Sequence, residues 1–283
     1  MISAYRYILL IPVILLALHT AHAKHTADVP FVVSGVISNS ASARPIRHFV
    51  QYLGQQTGIK FSLVYADSYS RLSSIMRSHP VSLGWTCGAP YVEDARRDQQ
   101  QLVAVPLFNN RPLYHSLIIT SLNSQAKKLS DFKDKIFVFS DIRSNSGFLA
   151  PAVQLKKQGI DINNFFSLMI NSGSHENSIV ALLNGLADVA AIDEYVWVEY
   201  TRKHRQALKK LHEIERTGPY PFTPLVAAKG IDKETMDKIR NALLNISHTQ
   251  AGSEILSQLG LDGFVIKSEE FYKPVQDMLD LMQ

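Results

Sequence analysis

Ser144, Asn145 and Ser146 form a run of three small hydrogen-bonding side chains. They follow the apolar stretch "IFVF" and immediately precede a helix-like segment, "GFLAPAVQLKKQG". A helix N-terminus carries unsatisfied N–H groups and roughly half a positive charge. Hydroxyl and amide donors added there suit a phosphate-like anion. The ordinary alternative is capping, for which one Ser or Asn is enough. On these residues alone both readings stand.

A second turn of the same kind occurs in "NSGSHENS". Here His175 and Glu176 open a helix-like segment, and His175 could donate to an anion. Equally, Ser174 could cap the helix, Glu176 could complement its dipole and His175 could lie on the surface. A third polar stretch, "WTCGAPY", follows another strand-like run. Trp85 reads as core or cleft wall. Thr86 and Cys87 lie at the strand end, where a thiol either meets a ligand or packs as a small hydrophobe. Tyr69 opens a helix-like segment and could reach a cleft with its hydroxyl or pack as core. Asp193 ends "DVAAID" and offers either a carboxylate for a cationic ligand group or a cap. One more polar stretch, "SNSAS", follows the first strand-like run. The sequence has no C-x-x-C pair, no H-E-x-x-H and no P-loop pattern, so it carries no readable metal or nucleotide motif and implies no cofactor.

The elements that position these residues alternate. "FVVSGVI", "KFSLVYA" and "VSLGWT" read as strands, separated by helix-like "ARPIRHFVQYLGQQTG" and "SYSRLSSIMRSH". That β-α-β-α-β order marks a parallel sheet with crossover helices. "YHSLIIT" leaves this unit, and a second one follows: strand "KIFVFS", the helix near Gly147, strand "FSLMINSG", helix "ENSIVALLNGL" and strand "DVAAID". The chain extends again at "GPYPFTPLVAA" and ends in amphipathic helices. Two α/β units in series imply two lobes with a cleft, and ligands of open α/β sheets sit at the carboxyl ends of strands. All of the polar stretches fall at such ends.

Residues 1–23 differ from the rest. Arg6 precedes an apolar run from Ile8 to Leu18, and "AHA" ends at Ala23, the pattern of an export signal cleaved near that residue; an uncleaved anchor is the alternative. Without this segment the net charge falls from +4 to +3. No concentrated basic face of the kind that binds nucleic acid is visible. The single cysteine, Cys87, cannot form an intramolecular disulfide.

The motifs "YADSYSRLSSIM", "VSLGW", "SDIRSNSGFLAP", "SGSHENSIVALLNGLADVAAID" and "LVAAKGI" resemble, in order and spacing, those of the periplasmic phosphonate-binding proteins of ABC importers. The resemblance runs over nearly all of the chain after residue 23. It implies a type II periplasmic-binding fold, two α/β lobes joined by a two-strand hinge around a ligand cleft. Residues 24–115 plus 221–283 would form lobe 1 and residues 116–220 lobe 2. It further implies that Ser144, Asn145, Ser146 and His175 grip the oxygens of a small tetrahedral oxyanion, that Tyr69 lines the site, and that Glu176 and Asp193 can take a ligand amine. The pattern departs in two places. Asn145 stands where Thr is frequent, and Thr86 followed by Cys87 stands where aminoalkylphosphonate binders have Tyr. Specificity is therefore expected to rest on Tyr69, Thr86, Cys87 and Asp193. The implied role is a periplasmic, monomeric, non-enzymatic solute-binding protein that delivers its ligand to a membrane permease. Two alternatives are a ligand-sensing subunit beside a histidine kinase, with Cys87 taking an oxyanion or arsenite, and an exported enzyme using Cys87 with His175.

Overall fold

The computed structural model describes residues 28–35 and 43–283. The expected export signal and the "SNSAS" stretch lie outside the described residues. The chain begins with β1 (Val29–Ser34), α1 (Ala43–Thr57), β2 (Phe61–Ala66), α2 (Tyr69–Ser78), β3 (Leu83–Trp85), α3 (Gly88–Asp98) and β4 (Gln101–Leu107). A second unit holds β5 (Leu113–Ser121), β6 (Ile136–Phe139), α4 (Ala150–Lys156), β7 (Leu168–Asn171), α5 (His175–Leu183), β8 (Val189–Asp193), α6 (Glu194–Lys203) and β9 (Leu211–Pro221). The chain then returns with β10 (Leu225–Ala227), α7 (Lys233–Leu244), α8 (Gln250–Leu259), β11 (Gly263–Val265) and α9 (Lys273–Met282).

The strands form two sheets, one of six strands ordered β11-β4-β10-β3-β1-β2 and one of five ordered β7-β6-β8-β5-β9. β1 pairs parallel with β2 and β3, and β6 pairs parallel with β7 and β8. The crossover helices that parallel pairing requires are α1 and α2 in the first unit and α4 and α5 in the second. β10 and β5 run antiparallel to their neighbours. They follow the two crossings between sheets, at residues 108–112 and 222–224. The crossings lie side by side: Phe222 N–H donates to the Pro112 carbonyl at 2.9 Å, and the rings of Phe108 and Phe222 stack at 5.9 Å.

Each sheet buries its own aromatics. Phe49 on α1 packs against Trp85 at 5.5 Å and Phe264 at 5.6 Å, and all three are buried. In the second sheet Phe137 stacks on Phe166 at 4.7 Å. The final helix, α9, packs on both α3 and α4 and so ties the chain's end to both units.

The alternating order expected from the sequence is present, with additions. The "GAPYVEDARRD" segment is a helix, α3, whose buried face includes Tyr91, Val92 and Asp94; that charged residue in the core face hides the apolar periodicity. α6, "EYVWVEYTRK", is rich in β-branched and aromatic residues that favour strands. Its start is set by Asp193, whose carboxylate accepts from the Tyr195 and Val196 N–H groups. The helix expected near Gly147 starts earlier, with a π-helical turn at Asn145–Leu149 that runs into α4. β4, β11 and the early start of β9 at Leu211 were also not part of the expected pattern.

Candidate functional site

Five helix starts meet between the sheets. Tyr69 is the first residue of α2, Cys87 the N-cap of α3, Ser144 the N-cap of the π-turn before α4, His175 the first residue of α5 and Asp193 the N-cap of α6. Each start follows a strand's carboxyl end, so the topology alone carries these side chains to one place. Each presents the positive end of a helix dipole. Among the described residues, no Lys or Arg side chain is hydrogen-bonded or ion-paired to any of these residues' side chains.

Ser140, Ser144, Asn145, Ser146 and His175 are fully buried. The His175 Nε2 lies 3.2 Å from Ser140 Oγ, 3.4 Å from Ser144 Oγ and 3.5 Å from Ser146 Oγ. Its Nδ1 accepts the Asp193 backbone N–H at 3.2 Å. A ring nitrogen that accepts has no proton, so the proton sits on Nε2 and points at the serines. Burial depresses the His175 pKa to about 3, and the Ala191 carbonyl opposes this only in part. The imidazole is therefore a neutral donor at physiological pH.

Gly147 makes this packing possible. A Cβ there would come 2.5 Å from Ser140 Oγ, 2.9 Å from Ser144 Oγ and 3.1 Å from His175 Cε1. Ser144 Oγ accepts the Gly147 N–H at 3.0 Å, and Ser116 Oγ donates to the Ser146 carbonyl at 2.6 Å, fixing the turn.

The other wall holds Tyr69, Cys87, Tyr114 and Asn145. Asn145 Nδ2 donates to Tyr114 Oη at 2.9 Å, and its backbone N–H faces Cys87 Sγ at 3.4 Å. Cys87 Sγ is also 4.0 Å from Tyr114 Oη. Burial holds the Tyr69 and Tyr114 hydroxyls well above their usual range and pushes the Cys87 thiol up, so all three stay protonated. Burial also raises Asp193 to about 7, against the lowering effect of the α6 N–H groups on its carboxylate.

Four of these polar side chains are buried with an atom that lacks a hydrogen-bond partner among the described residues: Tyr69 Oη, Thr86 Oγ1, Asn145 Oδ1 and Asp193 Oδ2. Each such atom costs on the order of 1–3 kcal/mol unless something satisfies it. A cluster of them is the signature of groups arranged for a bound molecule rather than for each other.

The structure thus brings Tyr69, Cys87, Ser144, Asn145, Ser146, His175 and Asp193 together, with Thr86 buried beside Cys87. Glu176 follows His175 in α5, half-buried, with its Oε2 also buried and without a hydrogen-bond partner among the described residues, and its charge acts on Tyr200 of α6. Three contributors escaped sequence reasoning. Ser140 directly follows β6 inside an already conspicuous stretch, which could have pointed to it. Ser116 and Tyr114 lie on β5, where a strand-forming pattern gave no signal. A surface groove of about 930 Å³ near Thr120, Lys135 and Lys210 lies at the other end of the second sheet and contains none of these residues.

The sequence profile of the family described as "ABC transporter, phosphonate, periplasmic substrate-binding protein" matches residues 31–272. The chain belongs to this phosphonate-binding family. A phosphonates-binding periplasmic protein of Escherichia coli (strain K12) is 27% identical over 236 residues, covering 81% of this chain and 69% of the relative. A probable ABC transporter phosphite binding protein, PhnD1, of Prochlorococcus marinus (strain MIT 9301) is 21% identical over 242 residues, covering 81% of each. Solved structures agree in fold. The Prochlorococcus PhnD1 in complex with methylphosphonate has a TM-score of 0.80 at 19% identity, over 90% of this chain and 97% of that one. A binding component of an ABC phosphonate transporter from Pseudomonas aeruginosa has a TM-score of 0.82 at 22% identity, over 89% and 85%. The fold of this phosphonate-binding family member is therefore the two-lobed type II arrangement, with the paired crossings as its hinge. The family is periplasmic, and among the described residues no helix is long and apolar enough to cross a membrane.

Proposed function

We propose that the chain captures a small tetrahedral oxyanion, a phosphonate or a phosphate-like species, and delivers it to the permease of an ABC importer. Residues 24–115 plus 221–283 form one lobe, residues 116–220 the other, and the ligand is enclosed when they close. The observation that carries this reading is the buried cluster itself: a neutral His175 donor and three serine hydroxyls beside unpartnered polar atoms on Tyr69, Thr86, Asn145 and Asp193. Helix starts supply the positive field that a lysine would otherwise provide. With a pKa near 7, Asp193 is present at neutral pH in both forms and can donate to an oxyanion or accept from a ligand N–H or P–OH.

Transport is favoured over sensing because the family and the relatives named above are transport components. An enzymatic role for Cys87 is disfavoured because its thiol is held protonated by burial, whereas a catalytic cysteine needs a lowered pKa. We further propose that the protein acts as a monomer after cleavage near Ala23. The test is a thermal-shift screen of the purified protein with methylphosphonate, 2-aminoethylphosphonate, phosphate, phosphite and sulfate. A ligand that binds only the folded state raises the melting temperature in a concentration-dependent way. At least one phosphorus oxyanion should do so; no shift with any of them would overturn the reading.

A further inference from the structure

Arg143 directly precedes the Ser144–Ser146 turn but points away from it, across the gap between the sheets. Every side-chain partner it has belongs to α2 or α3 of the other unit. Its Nε donates to Glu93 Oε2 at 2.7 Å, one Nη to Ser73 Oγ at 2.8 Å and the other to Asp94 Oδ1 at 2.8 Å. Longer contacts of 3.4 Å reach the Tyr69 and Pro90 carbonyls. Asp141, two residues earlier, bridges the same gap: its Oδ2 accepts the Tyr69 backbone N–H at 3.2 Å, and its Oδ1 accepts the Arg143 N–H at 2.7 Å. The loop that presents the serines is thus bolted to the helix start that presents the Tyr69 hydroxyl.

We infer that Arg143, with Asp141, is a latch that fastens the closed form and positions Tyr69 over the ligand turn. The inference rests on the lobe closure proposed above and adds to it a device outside the ligand contacts. Asp94 is fully buried, and losing a partner would ordinarily strand its charge. Here it also accepts from Arg97 at 2.5 Å and from Ser73 Oγ, both on its own unit, so it stays satisfied when Arg143 withdraws. Arg97 is half-exposed and Glu93 is 40% exposed, so water can replace Arg143 from the rim. The latch is therefore reversible, and it biases the two-state equilibrium that ligand binding also biases.

Cys87 reports the opening. It is the only cysteine in the sequence, it is 1% exposed, and Asn145 and Tyr114 of the second unit cover its sulfur. The experiment measures the rate at which a thiol reagent such as DTNB labels the ligand-free protein. Arg143→Ala should label at least about tenfold faster than the parent, because it loses several charge-assisted hydrogen bonds, and Arg143→Lys should fall between the two. Salt at 1 M, where screening acts within roughly 3 Å, should accelerate the parent but not Arg143→Ala. The urea dependence of labelling should be shallower than that of global unfolding, since opening exposes less surface. Unchanged labelling in Arg143→Ala overturns the latch, as does a urea dependence as steep as global unfolding. Should Arg143→Ala not fold, Glu93→Gln removes one exposed partner, and unchanged labelling there overturns the latch equally. Faster labelling in variants that, like the parent, bind no methylphosphonate would uphold the latch while removing the ligand reading.

Discussion

His175 shows how one hydrogen bond decides a donor. The Asp193 N–H occupies Nδ1 at 3.2 Å, which leaves Nε2 to carry the proton toward three serine hydroxyls. Asp193 shows the opposite titration. Its pKa is raised from 3.8 to about 7, so the folded protein holds a proton there that the unfolded chain releases between about pH 4 and 7. The stability this contributes is present below pH 4 and is lost as pH rises through 7. His175, lowered to about 3, runs the other way: its contribution is present above about pH 6.5 and is lost as pH falls toward 3. An Asp193→Asn variant keeps the capping oxygen and His175 but cannot ionise. Its melting temperature relative to the parent should therefore rise from pH 5 to about pH 7 and level off above it; a gap that stays constant across this range would mean that the Asp193 carboxyl is not shifted by burial. At this scale Ser144, Asn145, Ser146 and His175 could be singled out as candidates from the sequence because each lies in a turn richer in polar residues than capping needs; Ser140 was not singled out. Tyr114 could not, because a tyrosine in a strand looks like core until its hydroxyl is seen against Asn145.

The site is an assembly of helix starts, and its precision depends on how tightly those starts approach. Gly147 is the clearest case, since its missing side chain leaves room for Ser140, Ser144 and His175. Gly147→Ala should push the hydroxyls off their shared focus and weaken anion binding by about 1–3 kcal/mol, the scale of a buried hydrogen bond to a charge. Calorimetry on this variant would check it, and parent-like affinity would show that the turn tolerates a methyl group. β1 to β3, β5 to β8 and the crossover helices of both units were legible because short apolar runs and helical patterns alternate, whereas β4, β11 and the start of β9 were not. α3 and α6 were not. Asp94 breaks the apolar face of the first, and Val196, Trp197 and Val198 give the second a strand-like composition that its Asp193 cap overrides. The π-turn at Asn145–Leu149 has no reliable sequence signal, because it differs from an α-helical start only in register.

For the whole molecule, the two units are joined by two adjacent crossings, by α9 and by the Arg143 contacts, with the cluster in between. The two-unit order was readable from the sequence; what it could not give was the pairing across the gap, because Arg143 is about fifty residues from Glu93 and Asp94 and all three look like solvated charges. The central claim is that the gap closes on a phosphorus oxyanion held by the serine turn and His175. Isothermal titration of methylphosphonate into the parent, Ser146→Ala and His175→Ala tests it directly. The account expects saturable binding by the parent, weakened by about 1–3 kcal/mol in each variant. Equal affinity in all three proteins would place the ligand elsewhere and contradict it.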